Sequence, residues 1–189
     1  MTGEPERGLA TAHPGPVPPA GPPAALRGPV PPAGLASGGR FDQQWGHNGQ
    51  TDVADGPHVW RTLGYQRILW EPGRTAVAWD AGEDYCFPSA GGPIVQGGLV
   101  TALLDAAMGG ATWTVLDTDQ AFLTADLRVE FLRSARPGRL TAVGAVVRRT
   151  RRVVFAQAEL FDAANVMLAT GRCTQVVLPA DGRAGRHDS

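Results

Sequence analysis

The chain has 189 residues, 43% of them hydrophobic and 19% charged, with a net charge of −1. That is material for one compact domain, and it supplies no positive footprint for nucleic acid. No apolar run is long enough to span a bilayer and the N-terminus lacks the charged-then-apolar pattern of a secretory signal, so a cytosolic protein acting away from membranes is expected.

Residues 1–40 are dominated by Pro, Gly and Ala, and Gly15-Pro-Val-Pro-Pro-Ala-Gly21 recurs unchanged as Gly28-Pro-Val-Pro-Pro-Ala-Gly34. Such a segment cannot bury a core, so a disordered, partly polyproline-II tail is expected ahead of a domain over 41–179 and a frayed tail over 180–189. A short helix is predicted over 57–65, then strands over 66–70 and 74–79 joined as a hairpin around Pro72-Gly73. Residues 80–93, punctuated by Gly82, Pro88, Gly91, Gly92 and Pro93, form a loop that delivers the chain to the next element.

That element is a helix predicted over 94–113, with Leu99, Leu103, Ala106, Gly110 and Trp113 on one apolar face. Gly98, Thr101, Asp105, Gly109 and Thr112 lie within about 40° of one another's mean direction on a second stripe. An unpaired buried carboxylate is costly, so Asp105 in the middle of a core helix marks chemistry; the competing reading pairs it structurally with an arginine or with Thr101. Gly97 and Gly98 fall in the first turn, where backbone N–H groups have no intrahelical partner and no side chain blocks a ligand. A polarised carbonyl oxygen fits there.

Four strands follow, over 124–133, 139–149, 153–161 and 166–178, rich in β-branched residues and in alternation. In the first, Leu127, Val129 and Phe131 oppose Asp126, Arg128 and Glu130. Pro137-Gly138, Thr150-Arg151 and Ala163-Ala164-Asn165 separate them by hairpin lengths, which predicts an antiparallel meander and an α+β fold with one long helix inside a curved sheet. Cys86 and Cys173 lack metal-ligand spacing and are expected as reduced packing residues. Histidine stands only at His13, His47, His58 and His187.

Val95-Gln96-Gly97-Gly98, then Leu104-Asp105, then Thr124-Ala-Asp-Leu-Arg-Val-Glu-Phe-Leu132 ahead of Pro137-Gly138 resemble the hotdog-fold acyl-CoA thioesterases of the PaaI-like family, over roughly residues 60–178. The resemblance implies that the Gly97 N–H polarises a thioester carbonyl while Asp105, from the opposite subunit of a dimer, attacks it or activates water. It gives Thr124 a part in placing that water, and implies a homodimer or a dimer of dimers with the site at the subunit interface. Many relatives carry histidine where Gln96 stands, others glutamine, and an asparagine about where Ala90 stands here. Gln96 then orients rather than transfers protons, since its amide does not titrate near neutral pH.

A thioester has a good thiolate leaving group, so an oriented carboxylate and an oxyanion donor suffice, with no metal or redox cofactor. Substrate contacts are expected from Gly98, Thr101, Ala90 and Trp113, with Phe122, Phe131 and the 80–93 loop as further pocket walls. In the basic run Arg148-Arg149-Thr150-Arg151-Arg152, at a predicted turn, Arg149 and Arg151 are candidates for the phosphates of coenzyme A, in competition with Arg128 and Arg133. The expected partner is an acyl-CoA or acyl-carrier-protein thioester. Two alternatives stand beside hydrolysis: a non-catalytic acyl-CoA binding module, and a hotdog hydratase or dehydratase, for which His58 would have to supply the histidine. Deleting residues 1–40 is expected to leave the melting temperature nearly unchanged, because the segment contributes little burial; a large drop in a thermal scan would show that it docks.

Overall fold

The computed structural model describes residues 57–180, together with Pro29 and Ala33. The expected tail over 1–40, apart from those two residues, and the stretches 41–56 and 181–189 lie outside the described residues.

Helix α1 (His58–Leu63) ends at Gly64, whose φ of 77° is the left-handed C-cap that glycine adopts without a Cβ penalty. Strands β1 (Gln66–Glu71) and β2 (Arg74–Ala81) form the expected hairpin. A 3-10 turn over Glu83–Tyr85 and the two-residue strands β3 (Cys86–Phe87) and β4 (Ile94–Val95) lead into helix α2 (Gly97–Trp113). Strands β5 (Gln120–Phe131), β6 (Gly138–Arg149), β7 (Val153–Asp162) and β8 (Met167–Pro179) complete the domain. The result is the hotdog arrangement, one long helix packed against a curved antiparallel sheet. No helix among the described residues is long and apolar enough to cross a membrane.

Three expectations are corrected. The central helix starts at Gly97, not at residue 94: Ile94 and Val95 pair with Phe87 and Cys86, and the Val95 and Gln96 N–H groups donate to Ala135 and Tyr85 carbonyls. Ile94 and Val95 are extended in that pairing and Gln96 is still extended as the N-cap, so the helical turn begins only at Gly97.

The four later strands are not a simple meander. Sheet order is β1-β2-β6-β7-β8-β5, so β6, β7 and β8 are consecutive neighbours while β5 pairs with β8 and β6 with β2. The segment through Pro137-Gly138 is therefore a crossing connection, not a hairpin. Placing β5 on the far edge lets the sheet wrap the helix from both sides, with Leu127 opposite Cys173 and Val129 opposite Gly171.

The helix face turned to the core is also different. Leu103 and Gly110 of the predicted face are buried as expected, but so are Val100, Leu104, Ala107, Met108 and Ala111, whereas Leu99, Ala106 and Trp113 are only partly so. α2 is apolar almost all round, so periodicity alone cannot choose its azimuth. Close backbone packing does. A Cβ on Gly144 of β6 would run into the Ala107 carbonyl oxygen and come within 2.9 Å of the Met108 nitrogen. Beside it the Thr75 hydroxyl donates to that same carbonyl at 2.6 Å. At the far end, the Gly73 N–H donates to the Thr114 hydroxyl at 2.7 Å, which fastens the β1–β2 turn to the helix end.

Gly144→Ala is expected to lower stability by about 2–3 kcal/mol, since the neighbouring atoms are backbone and must move as a unit. Urea denaturation measures it; an unchanged midpoint would show that helix and sheet are not held this tightly.

Candidate functional site

Asp105 is half-buried on α2, and its Oδ1 accepts a hydrogen bond from the Thr124 hydroxyl of β5 at 3.2 Å. Burial pushes its carboxyl above the ordinary carboxylate range, an effect the Thr124 hydrogen bond partly opposes. A register shift between Thr124 and Asp126 bulges β5 beside this contact, which re-aims the local side chains. Behind Thr124, the Gln175 Nε2 of β8 donates to the same hydroxyl at 3.4 Å, and Gln175 is 0% exposed. Gly109, one turn beyond Asp105, leaves the room these groups use: a Cβ there would meet Phe122 at 3.2 Å and Gln175 Nε2 at 3.8 Å. Thr101 does not bond to Asp105: its hydroxyl donates back to the Gly97 carbonyl at 2.9 Å.

Cys173, next along the inward face of β8, is a core residue. Burial first, and then the Asp105 charge, push its thiol up to about 12, so it stays protonated and is no nucleophile.

The opening of α2 makes the second part of the site. Gln96 is the N-cap, its Oε1 accepting from the Leu99 N–H at 3.2 Å. A Cβ on Gly98 would approach that Oε1 to 2.7 Å, so a side chain there would push the flexible Gln96 amide from its present position. The Gly97 and Gly98 N–H groups take no hydrogen-bond partner among the described residues. Gly97 faces a cleft of about 390 Å³ whose walls include Phe87, Ile94, Val100, Phe131 and Leu132. The apolar cleft with free helix-start amides at its edge suits a neutral, polarisable carbonyl on an apolar group.

The sequence-predicted residues thus fall into separate groups. Asp105 and Thr124 meet; Gly97 and Phe131 meet in the cleft; Trp113 packs on Phe122, ring centroids 6.3 Å apart. Ala90 is exposed in the turn before β4. Arg149 is tied to the chain itself, donating to the Val115 carbonyl and, at 2.9 Å each, to Asp117 and Gln120, whereas Arg151 is exposed at the β6–β7 turn. His58 is on α1, its Nδ1 2.6 Å from Arg61 Nη2, and far in the chain from Asp105. Among the described residues no three His, Cys, Asp or Glu side chains converge as metal ligands. Gln175 was missed by sequence reasoning; the available signal was a polar residue in the inward register of β8 between Cys173 and Val177.

Residues 92–169 match the model of the thioesterase superfamily. No curated protein matches the chain by sequence. A thioesterase family protein from Silicibacter pomeroyi is similar in structure, with a TM-score of 0.60 and 25% identity over 65% of this chain and 90% of its own. AziG of S. sahachiroi gives 0.59 and 25% over 66% and 98%. PaaI of E. coli, from the phenylacetic acid degradation operon, gives 0.60 and 18% over 67% and 88%, a likeness of fold.

The raised Asp105 carboxyl has a stability consequence. A group whose folded pKa lies above its unfolded value costs stability once it ionises in the folded state and costs nothing when protonated in both states. Asp105→Asn is therefore expected to melt higher than the native chain at neutral pH and to match it below the ordinary carboxylate range. Paired thermal scans across pH check this, and a gap that widens on acidification would refute it.

Proposed function

We propose that the chain hydrolyses an acyl-CoA or acyl-carrier thioester, with Asp105 as nucleophile or general base and the Gly97 amide as oxyanion donor, a reading supported by the match of residues 92–169 to the thioesterase superfamily. The observation that carries this reading is the half-buried Asp105 carboxylate held by Thr124 on the same helix that opens with the free Gly97 and Gly98 amides. A raised pKa makes a carboxylate a better base, and free amides at a helix start stabilise the oxygen that becomes negative as the carbonyl is attacked. As base, Asp105 takes a proton from water while the water oxygen bonds to the carbonyl carbon. The tetrahedral species then expels the thiolate, which takes up that proton, and leaves the carboxylic acid.

Gly97 and Asp105 are eight residues apart on one helix, about 12 Å along its axis, too far for both to touch one carbonyl. The site is accordingly composite, Gly97 of one subunit facing Asp105 of a second copy. Support comes from β5, a twelve-residue strand that is an edge of the sheet among the described residues and carries Leu123 and Phe131 more than half exposed. A second β5 aligned against it would cover these groups and close the cleft. Of the two arginines expected at phosphates, Arg151 is the one exposed to receive them.

Free-thiol release from a panel of short, long and aromatic acyl-CoA thioesters tests the function. The native chain is expected to turn over at least one member, and Asp105→Asn to lose about a hundredfold or more while keeping fold and oligomeric state. Near-native turnover by the variant sinks the mechanism; tight binding of acyl-CoA without turnover by the native chain favours a binding module.

A further inference from the structure

We propose that Gln175 is a positioning residue for the site, fixing the Thr124 hydroxyl so that its single proton points at Asp105. This rests on the role proposed for Asp105 and adds to it the group that keeps the carboxylate ready.

Gln175 stands on β8 between its two neighbouring strands. It pairs with Thr124 across β5–β8 and with Val154 across β7–β8, and its side chain turns inward under α2 with no exposure to solvent. Apolar neighbours Val176 and Val177 show that this stretch of β8 otherwise takes hydrophobic residues. A primary amide in such a place is costly unless it hydrogen-bonds, and only half of this one does: Oε1 is buried without a partner, while Nε2 donates to Thr124. Packing alone is better served by an apolar side chain. A hydroxyl donates once, and an amide N–H occupying its lone pair leaves the proton to the remaining acceptor within reach, Asp105 Oδ1. The chain Gln175 to Thr124 to Asp105 therefore has one direction, and it favours the ionised carboxylate.

Among the described residues few other charges face Asp105. α2 carries no second ionisable side chain, β7 presents Val154 and Ala156 at this level, and β6 presents Val146 and Gly144. From β8 there is Cys173, whose thiol stays neutral to about 12, and from β5 there is Asp126, just past the bulge, with its charge felt at Cys173. A change at Gln175 must then reach Asp105 through Thr124.

The test is the titration of the Asp105 carboxyl, followed by carbon-13 NMR on the full chain, with hydrolysis measured alongside. Gln175→Met keeps the volume and removes the donor; Gln175→Leu likewise removes the donor without adding a charge, and serves if the first fails to fold. Both should move the Asp105 midpoint upward and, because the carboxylate loses the hydrogen bond that aims it and is ionised in a smaller fraction of molecules, lower kcat about tenfold while KM changes less than about twofold. In a Thr124→Val background, Gln175→Met should move the midpoint no further. A midpoint unmoved by either variant, or moved equally by Gln175→Met with and without Thr124, overturns the assignment. If Asp105→Asn is inactive while the midpoint stays still, only Gln175 loses its role; if Asp105→Asn hydrolyses normally, it is the catalytic reading of Asp105 that fails.

Discussion

The backbone of α2 lies directly on the sheet at Ala107, where Gly144 of β6 offers no side chain and the Thr75 hydroxyl holds the Ala107 carbonyl. Because that contact is between backbones, it fixes the helix in rotation as well as in distance, which packing of flexible side chains would not. Asp105 is two residues earlier, about 200° round the helix, and so is turned away from β6. A sheet closed only on that side would leave it in water. β5, displaced to the far edge by its pairing with β8, comes round the helix and supplies Thr124.

From this geometry comes the balance at the carboxylate. It is buried enough to be destabilised when ionised, yet it receives a single hydroxyl from one side and keeps the other side open. A residue placed for stability would be paired with an arginine or replaced by an apolar one; leaving it short of partners is the kind of local cost that functional sites carry. The same economy marks the helix start, where Gln96 satisfies the Leu99 amide and leaves those of Gly97 and Gly98 available. Gln96 in this chain is first a helix cap, and Gly98 leaves its amide room beside the helix start.

The β5 edge links fold to assembly. A long edge strand with exposed Leu123 and Phe131 invites a further strand, and the two halves of the site stand at different levels of one helix. The proposed composite site would meet both at once, because a two-fold related β5 would bring another α2 alongside with its own Asp105. An open edge and a divided site would otherwise be two separate liabilities.

Much of this was legible before any coordinates. Periodicity and turn residues located α2, the β1–β2 hairpin and four later strands, because alternation of two and recurrence of three to four are local properties of the chain. An acid inside an apolar helix singled out Asp105 and the paired glycines marked the helix start, since burial cost and missing side chains are written in residue type alone. Alternation tells which residues share a face but not which strand lies beside which, so the pairing of β5 with β8 was a decision of the tertiary structure. A helix apolar on nearly every side carries no azimuth of its own; contact with Gly144 supplied it. Thr101, Arg149 and Gln175 look alike as polar residues in sequence, and only the fold spent the first on its own helix, the second on the loop after it, and aimed the third at Thr124. Local chemistry was determined by the sequence, whereas the partners of each polar group depend on chain segments dozens of residues away and exist only once the sheet has closed round the helix.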